Sequence, residues 1–142
     1  MQADNLIREI FEKHQTVAVY GMSRNPAKPA HHVPRYLLSK GYHIIPINPA
    51  ALEIAGLKSY PGLPEIHEPI DILEVFRPSA QVSRIITQAL ARKKHKGDIA
   101  VIWLQKGITD EDARKAAEKD GTLFVQDRCM MTEFQRFFPE RQ

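Results

Sequence analysis

Apolar residues along this chain alternate between two spacings, and the alternation predicts a succession of helices and strands. Leu6, Ile7, Ile10 and Phe11 recur at helical spacing behind Asp4, a candidate cap, so a short helix opens the chain. Residues 17–20 form a short β-type run. Val33, Leu37 and Leu38 then mark a helix that ends at Gly41. Ile44-Ile45-Pro46-Ile47 reads as a second strand; its proline, which lacks an N–H, predicts an edge position or a strand end. Residues 50–68 are broken by Pro, Gly and Ala and predict a loop with short helical turns near 63–66.

The second half repeats the rhythm more strongly. Residues 71–76 form a third strand. Val82, Ile85, Ile86, Ala89 and Leu90 follow it on one helical stripe, with Ser79 as the expected cap. Residues 99–104 are continuously apolar, as in a strand buried on both faces. Thr109-x-x-Asp112 resembles a capping box ahead of Ala113, Ala116 and Ala117. Residues 123–125 are a fifth strand, and Met130, Met131, Phe134, Phe137 and Phe138 fit a final amphipathic helix. Strands alternating with helices predict an α/β fold. The expectation is one Rossmann-like, doubly wound domain over residues 1–142, with a five-stranded, mostly parallel sheet.

Composition narrows the picture only slightly. The chain has 142 residues, 43% of them hydrophobic and 26% charged, with a formal net charge of +3, as in an ordinary globular domain. No long apolar segment suggests a membrane span, and the first residues lack a signal peptide's pattern. A single cysteine, Cys129, excludes an internal disulfide, so the expected compartment is the cytoplasm. The basic run Arg92-Lys93-Lys94-His95-Lys96 would suit nucleic acid. Cations ahead of Gly97 are also what a helix C-terminus favours, and no nucleic-acid motif accompanies them.

Candidate chemistry gathers where the first strand ends. Thr16-Val17-Ala18-Val19-Tyr20 stops at Gly21, and Met22-Ser23-Arg24-Asn25-Pro26-Ala27-Lys28 leads into a helix. In an α/β protein such a junction holds phosphate: glycine admits a close backbone approach, and amides with the helix dipole attract anions. Ligands of doubly wound sheets sit beyond the C-terminal strand ends. That rule selects four loops: residues 21–28, Asn48-Pro49, Phe76-Arg77-Pro78 and Gln105-Lys106-Gly107. Three of them carry cations, namely Arg24 and Lys28, Arg77, and Lys106. The glycine-rich dinucleotide fingerprint is missing, and the second strand ends in Asn48 rather than an acid for a ribose hydroxyl. An NAD(P)-dependent oxidoreductase, the alternative reading, is disfavoured on both counts.

These residues also resemble a family. Gly21-Met22-Ser23-Arg24-Asn25-Pro26 with Lys28, then Val33-Pro34-Arg35-Tyr36-Leu37, Pro46-Ile47-Asn48-Pro49 and Tyr60-Pro61, are similar to the small CoA-binding proteins of bacteria and archaea. Those proteins are related to the CoA-binding N-terminal domain of the succinyl-CoA synthetase alpha subunit. The likeness continues through residues 71–77, Trp103-Leu104-Gln105-Lys106-Gly107-Ile108 and Asp127-Arg128-Cys129. The resemblance implies a Rossmann-type sheet that holds CoA or an acyl-CoA across its C-terminal edge. It implies Gly21, Met22, Ser23, Arg24 and Lys28 at the pyrophosphate, and Asn48 and Pro49 beside the adenosine. Val75, Phe76 and Arg77 would flank the nucleotide or the pantetheine arm, with further contacts from Leu104, Gln105 and Lys106.

No catalytic residue and no metal ligand is expected. His31 and His32 lie near the loop but point to different helix faces, and no acid or thiol pairs with them at ligand spacing. Cys129 is read as a small packed residue, with a mixed disulfide to the CoA thiol as the chemical alternative. The expectation is thus a non-catalytic carrier, sensor or partner module for a small-molecule CoA ligand, with neither nucleic acid nor membrane as partner. The final Met- and Phe-rich helix would support a homodimer or cover one face of the sheet, and an acyl-CoA enzyme is the other candidate partner.

Overall fold

A computed structural model describes residues 2–141. Helix α1 (Gln2–Lys13) leads into β1 (Thr16–Tyr20), α2 (Pro29–Ser39) and β2 (His43–Ile47). A small hairpin, β3 (Glu53–Ile54) and β4 (Leu57–Lys58), and a 3-10 turn (Leu63–Glu65) precede β5 (Ile72–Val75). Then come α3 (Ser79–Lys96), β6 (Val101–Leu104), α4 (Glu111–Lys119), β7 (Leu123–Val125), α5 (Met130–Phe137) and a closing 3-10 turn (Pro139–Arg141). The main sheet runs in the order β2-β1-β5-β6-β7, and every pairing in it is parallel. "Mostly parallel" thus becomes wholly parallel.

Successive strand residues face opposite sides and build two cores. On one face Val17, Val19, Ile72, Trp103 and Val125 pack with Ile7 and Phe11 of α1, Leu37 of α2 and Phe134 of α5. On the other, Ala18, Leu73, Val75, Ile102 and Leu104 meet Val82, Ile85, Ile86 and Ala89 of α3 and Ala117 of α4. Phe134 of α5 and its C-cap residue Phe138 both lie against Phe11, at centroid distances of 5.5 and 6.2 Å. Pro46 sits on edge strand β2, as its missing N–H requires.

Several local expectations are corrected. Asp4 lies within the first turn of α1 and accepts from Arg136 at 3.0 Å, so tertiary pairing displaces the capping role. Pro78, not Ser79, is the N-cap of α3, and the Ser79 hydroxyl instead accepts from the Thr109 amide at 3.1 Å. The α4 cap is Asp110, whose carboxylate accepts from the Ala113 amide at 3.0 Å; Thr109 stands one residue too early. The β3–β4 hairpin was missed because its strands are only two residues long, too short for a period, and its turn uses Ala55 at φ 54° ahead of Gly56. The fourth strand starts at Val101 rather than 99, since Ile99 takes φ 58° and breaks the extended run. No described helix is long and apolar enough to cross a membrane.

Candidate functional site

The strand order reverses between β1 and β5, whose outgoing segments lead to α2 and α3 on opposite faces. That divergence opens a crevice at the C-terminal ends of the strands. A cavity of about 510 Å³ occupies it. Its floor and walls come from Gly21, Met22, Ser23 and Lys28 of the first loop, Asn48 and Pro49 after β2, and Phe76 and Arg77 after β5. Gln81 and Arg84 of α3, with Tyr20, Ala30, Ile47 and Pro61, complete it. The lining contains three cations and no acid.

Gly21 is required twice over. Its φ is 91°, and a β-carbon there would lie 2.7 Å from Arg77 Cδ and 3.3 Å from Cγ. Only glycine combines that backbone with the close passage of Arg77. The loop beyond is braced by its own groups. The Ser23 amide donates to the Ala30 carbonyl at 3.0 Å, and Ser23 Oγ accepts from the Asn25 amide at 3.0 Å. Asn25 Oδ1 accepts from the Ala27 amide at 3.0 Å. The Ser23 hydroxyl keeps its own hydrogen to donate outward.

The start of α2 supplies less to an anion than the sequence suggested. Pro29 has no N–H, and the His31 and His32 amides donate back to the Lys28 carbonyl at 2.9 and 3.0 Å. Positive charge at the site therefore rests on side chains. Lys28, Arg77 and Arg84 are exposed. Arg77 Nε donates to Gln81 Oε1 at 3.0 Å, whereas Lys28 and Arg84 have no side-chain partner among the described residues.

Asn48 and His31 prove to be braces. Asn48 Nδ2 donates to the Met22 carbonyl at 2.9 Å while its Oδ1 accepts from the Ala50 amide at 2.8 Å, tying the second loop to the first. His31 is buried with Nδ1 2.7 Å from the Ser23 carbonyl, so that nitrogen carries the hydrogen; Nε2 is buried without a partner among the described residues. His32 is exposed, on the other helix face. Among the described residues no His, Cys, Asp and Glu group is arranged to hold a metal.

The remaining expected site residues lie apart from this cavity. Arg24 is exposed on the loop but outside the lining. Val75 and Leu104 are fully buried in the core under α3, because their strand parity turns them to that face. Gln105 is buried, and its Oε1 accepts from the Met130 amide at 3.3 Å. Lys106 lines a second cavity, of about 450 Å³, with Gln126, Asp127, Arg128, Cys129, Thr132 and Glu133. Conversely, Gln81 and Arg84 escaped the loop-by-loop search because they belong to a helix. The signal was present: the apolar stripe of Val82, Ile85 and Ile86 leaves 81 and 84 off the core.

The basic run also changes meaning. Arg92 is buried; its guanidinium pairs with Asp98 at 3.0 Å and donates to the carbonyls of Leu63, Ile66 and Glu68. It binds the loop before β5 to the end of α3 and contributes nothing to a surface patch.

Comparison with known proteins agrees with this architecture. A Thermus thermophilus protein of solved structure, cell-free ID.343, superposes with a TM-score of 0.87 at 36% identity, covering 95% of this chain and 98% of that one. The Bacillus subtilis uncharacterized protein YneT is 35% identical over 124 residues, 87% of this chain and 88% of its own length. Acetate–CoA ligase [ADP-forming] II of Archaeoglobus fulgidus is 29% identical over 112 residues, which are 78% of this chain but only 16% of the ligase. The family described as CoA binding domain matches residues 15–135. With that match over most of its length, the chain belongs to the CoA-binding domain family.

Proposed function

We propose that this protein binds CoA or an acyl-CoA in the crevice between β1 and β5, as a non-catalytic carrier, sensor or partner module of an acyl-CoA enzyme. The observation that carries the reading is the cavity itself: Lys28, Arg77 and Arg84 converge on it beside the Gly21 turn, with no acid in the lining. CoA carries a pyrophosphate and a ribose 3′-phosphate, so several cations around one crevice have partners. An acid at the end of β2 would repel the extra phosphate, and Asn48 stands there instead.

In this reading Gly21, Met22, Ser23 and Lys28 border the pyrophosphate, with Arg24 adding charge from outside. Asn48 and Pro49 border the adenosine. Phe76 and Arg77 direct the pantetheine arm towards β6, past Gln105 and Lys106, while Val75 and Leu104 act only as the packed base of those loops. The ligase relative supports the ligand class. A lone thiol suits the reducing cytoplasm.

Calorimetry with CoA, acetyl-CoA, NAD and NADPH tests the reading. Saturable binding of CoA or acetyl-CoA, undisturbed by NADPH, is the expected result. No heat with either thioester or thiol, or displacement of CoA by NADPH, would overturn it.

A further inference from the structure

The crevice between β1 and β5 has two walls, and only one of them belongs to the phosphate turn. On the α2 side stand Gly21, Ser23 and Lys28; on the α3 side stand Gln81 and Arg84. Gln81, Arg84 and Gln88 recur at helical spacing on one face of α3, while Val82, Ile85, Ile86 and Ala89 turn into the core. Two members of that row are engaged. Gln81 Oε1 accepts from Arg77 Nε at 3.0 Å, and Gln88 Oε1 accepts from the Tyr20 hydroxyl at 3.3 Å. Arg84, between them, is exposed and has no side-chain partner among the described residues. Its guanidinium keeps its N–H donors for a ligand, and the crevice lining brings it no carboxylate.

The neighbours fix which part of a ligand Arg84 meets. Arg77 belongs to the Gly21 turn, since its Cδ lies 2.7 Å from where a Gly21 β-carbon would stand. Lys28 ends the same loop. Arg84 belongs elsewhere. The Tyr20–Gln88 bond sets α3 beside the end of β1, and Arg84 is one helical turn, about 6 Å, nearer the rim. Tyr20 and Ile47 pack with the core under α3 and also line the crevice, and Ile47 leads directly into Asn48. The crevice therefore has two cationic centres. Lys28 and Arg77 flank the turn, and Arg84 stands towards the β2 end, on the side given above to the adenosine.

We propose that Arg84 is a specificity-determining residue that binds the ribose 3′-phosphate, so that the crevice selects 3′-phosphorylated adenine nucleotides over the same compounds with a free 3′-hydroxyl. This rests on the CoA reading above and adds to it a residue and a rule of selection. The pyrophosphate, met at the turn, is common to CoA and dephospho-CoA. The 3′-phosphate is the one charged group that differs between them. As a monoester it carries close to two negative charges and three acceptor oxygens, which match a guanidinium fork better than the point charge of a lysine. A 3′-hydroxyl offers Arg84 only a neutral acceptor in its place, and a hydrogen bond to a neutral group is the weaker one.

The test is calorimetry with CoA and dephospho-CoA, on the parent protein and on Arg84→Ala, Arg84→Lys and Lys28→Ala. Arg84 is exposed and unpartnered among the described residues, so its removal leaves the fold intact and the affinities comparable. The parent should bind CoA about tenfold more tightly than dephospho-CoA, as one charged contact at a solvent-facing site provides, and the ratio should shrink as salt rises. Arg84→Ala should weaken CoA to the level of dephospho-CoA while leaving dephospho-CoA unchanged. Arg84→Lys should keep part of the preference, and Lys28→Ala should weaken both ligands alike. Adenosine 3′,5′-bisphosphate should displace CoA from the parent and do so about tenfold less well from Arg84→Ala. Equal affinity of the parent for CoA and dephospho-CoA would overturn the assignment and leave the CoA reading standing. So would an equal loss of both ligands in Arg84→Ala, which would place Arg84 against the adenine that they share. Failure of both ligands to bind the parent would remove the CoA reading, and this one with it.

Discussion

At the N-terminal end of the sheet Arg92 is buried and fully partnered, whereas at the C-terminal end Lys28, Arg77 and Arg84 are exposed and largely unpartnered. The residue types are alike; the surroundings differ. Around Arg92, Asp98 and three main-chain carbonyls satisfy the guanidinium, and Asp98 Oδ2 also accepts from the Ile70 amide at 3.0 Å. Nothing there is left for a ligand. At the other end much of the loop's backbone braces the loop itself, and the cationic side chains remain available. A cation's role follows from how many of its donors the fold has already filled, not from its density in the sequence.

The strongest way to break the comparison is to remove a member of the buried pair. Arg92→Ala leaves Asp98 and three carbonyls without their donor and should destabilise the fold by about 3–5 kcal/mol, measured by denaturant unfolding. Lys28→Ala should leave unfolding within about 0.5 kcal/mol of the parent, as an exposed residue does. If both variants unfold alike, the contrast between the two ends is wrong. Gly21→Ala comes next. Its positive φ alone should cost about 1–2 kcal/mol, and the displaced Arg77 should lower CoA affinity as well, so the variant should fail in calorimetry even where it is folded.

Smaller effects sharpen the site itself. Lys28→Ala should weaken CoA binding about tenfold, the worth of one charge-assisted contact. Arg24→Glu, outside the cavity lining, should weaken it less and mainly at low salt. The reverse ranking would shift the phosphate position outward along the loop.

Glu74 gives the pH test. Its carboxyl titrates well above the ordinary 4.5 when folded, so the folded state binds more protons than the unfolded one. The stability this confers is complete below 4.5 and is lost as pH rises towards the folded value. Glu74→Gln should flatten that decline, by about 1.4 kcal/mol for each unit of the upward shift. Thermal melts of both proteins from pH 4 to about pH 8 would read it, and parallel curves would show that Glu74 is not the buried acid responsible.

Much of the fold was legible because burial imposes a period. The doubly buried run before Leu104 and the stripe of Val82, Ile85, Ile86 and Ala89 admit one reading each, and Pro46 marked its own strand as an edge. Caps were less legible. Ser79 and Thr109 are good capping residues by type, but Ser79 was drawn to the Thr109 amide across the molecule and Asp110 took the cap of α4. In the site, Gly21, Ser23, Lys28, Phe76 and Arg77 were found from loop position after strands. Arg84 and Gln81 were not, because they reach the cavity from a helix.

From the order of its residues alone, this protein was committed to alternating strands and helices, to a glycine turn after the first strand, and to its kinship with CoA-binding domains. These depend on local backbone preference and on apolar period, which neighbours in sequence already define. Only the folded chain decided that Arg92 is structural, that Asn48 and His31 brace the loop, and that Glu74 is buried without a hydrogen-bond partner among the described residues. Those are questions of which polar group meets which across distant segments, and pairing in space has no periodic trace in sequence.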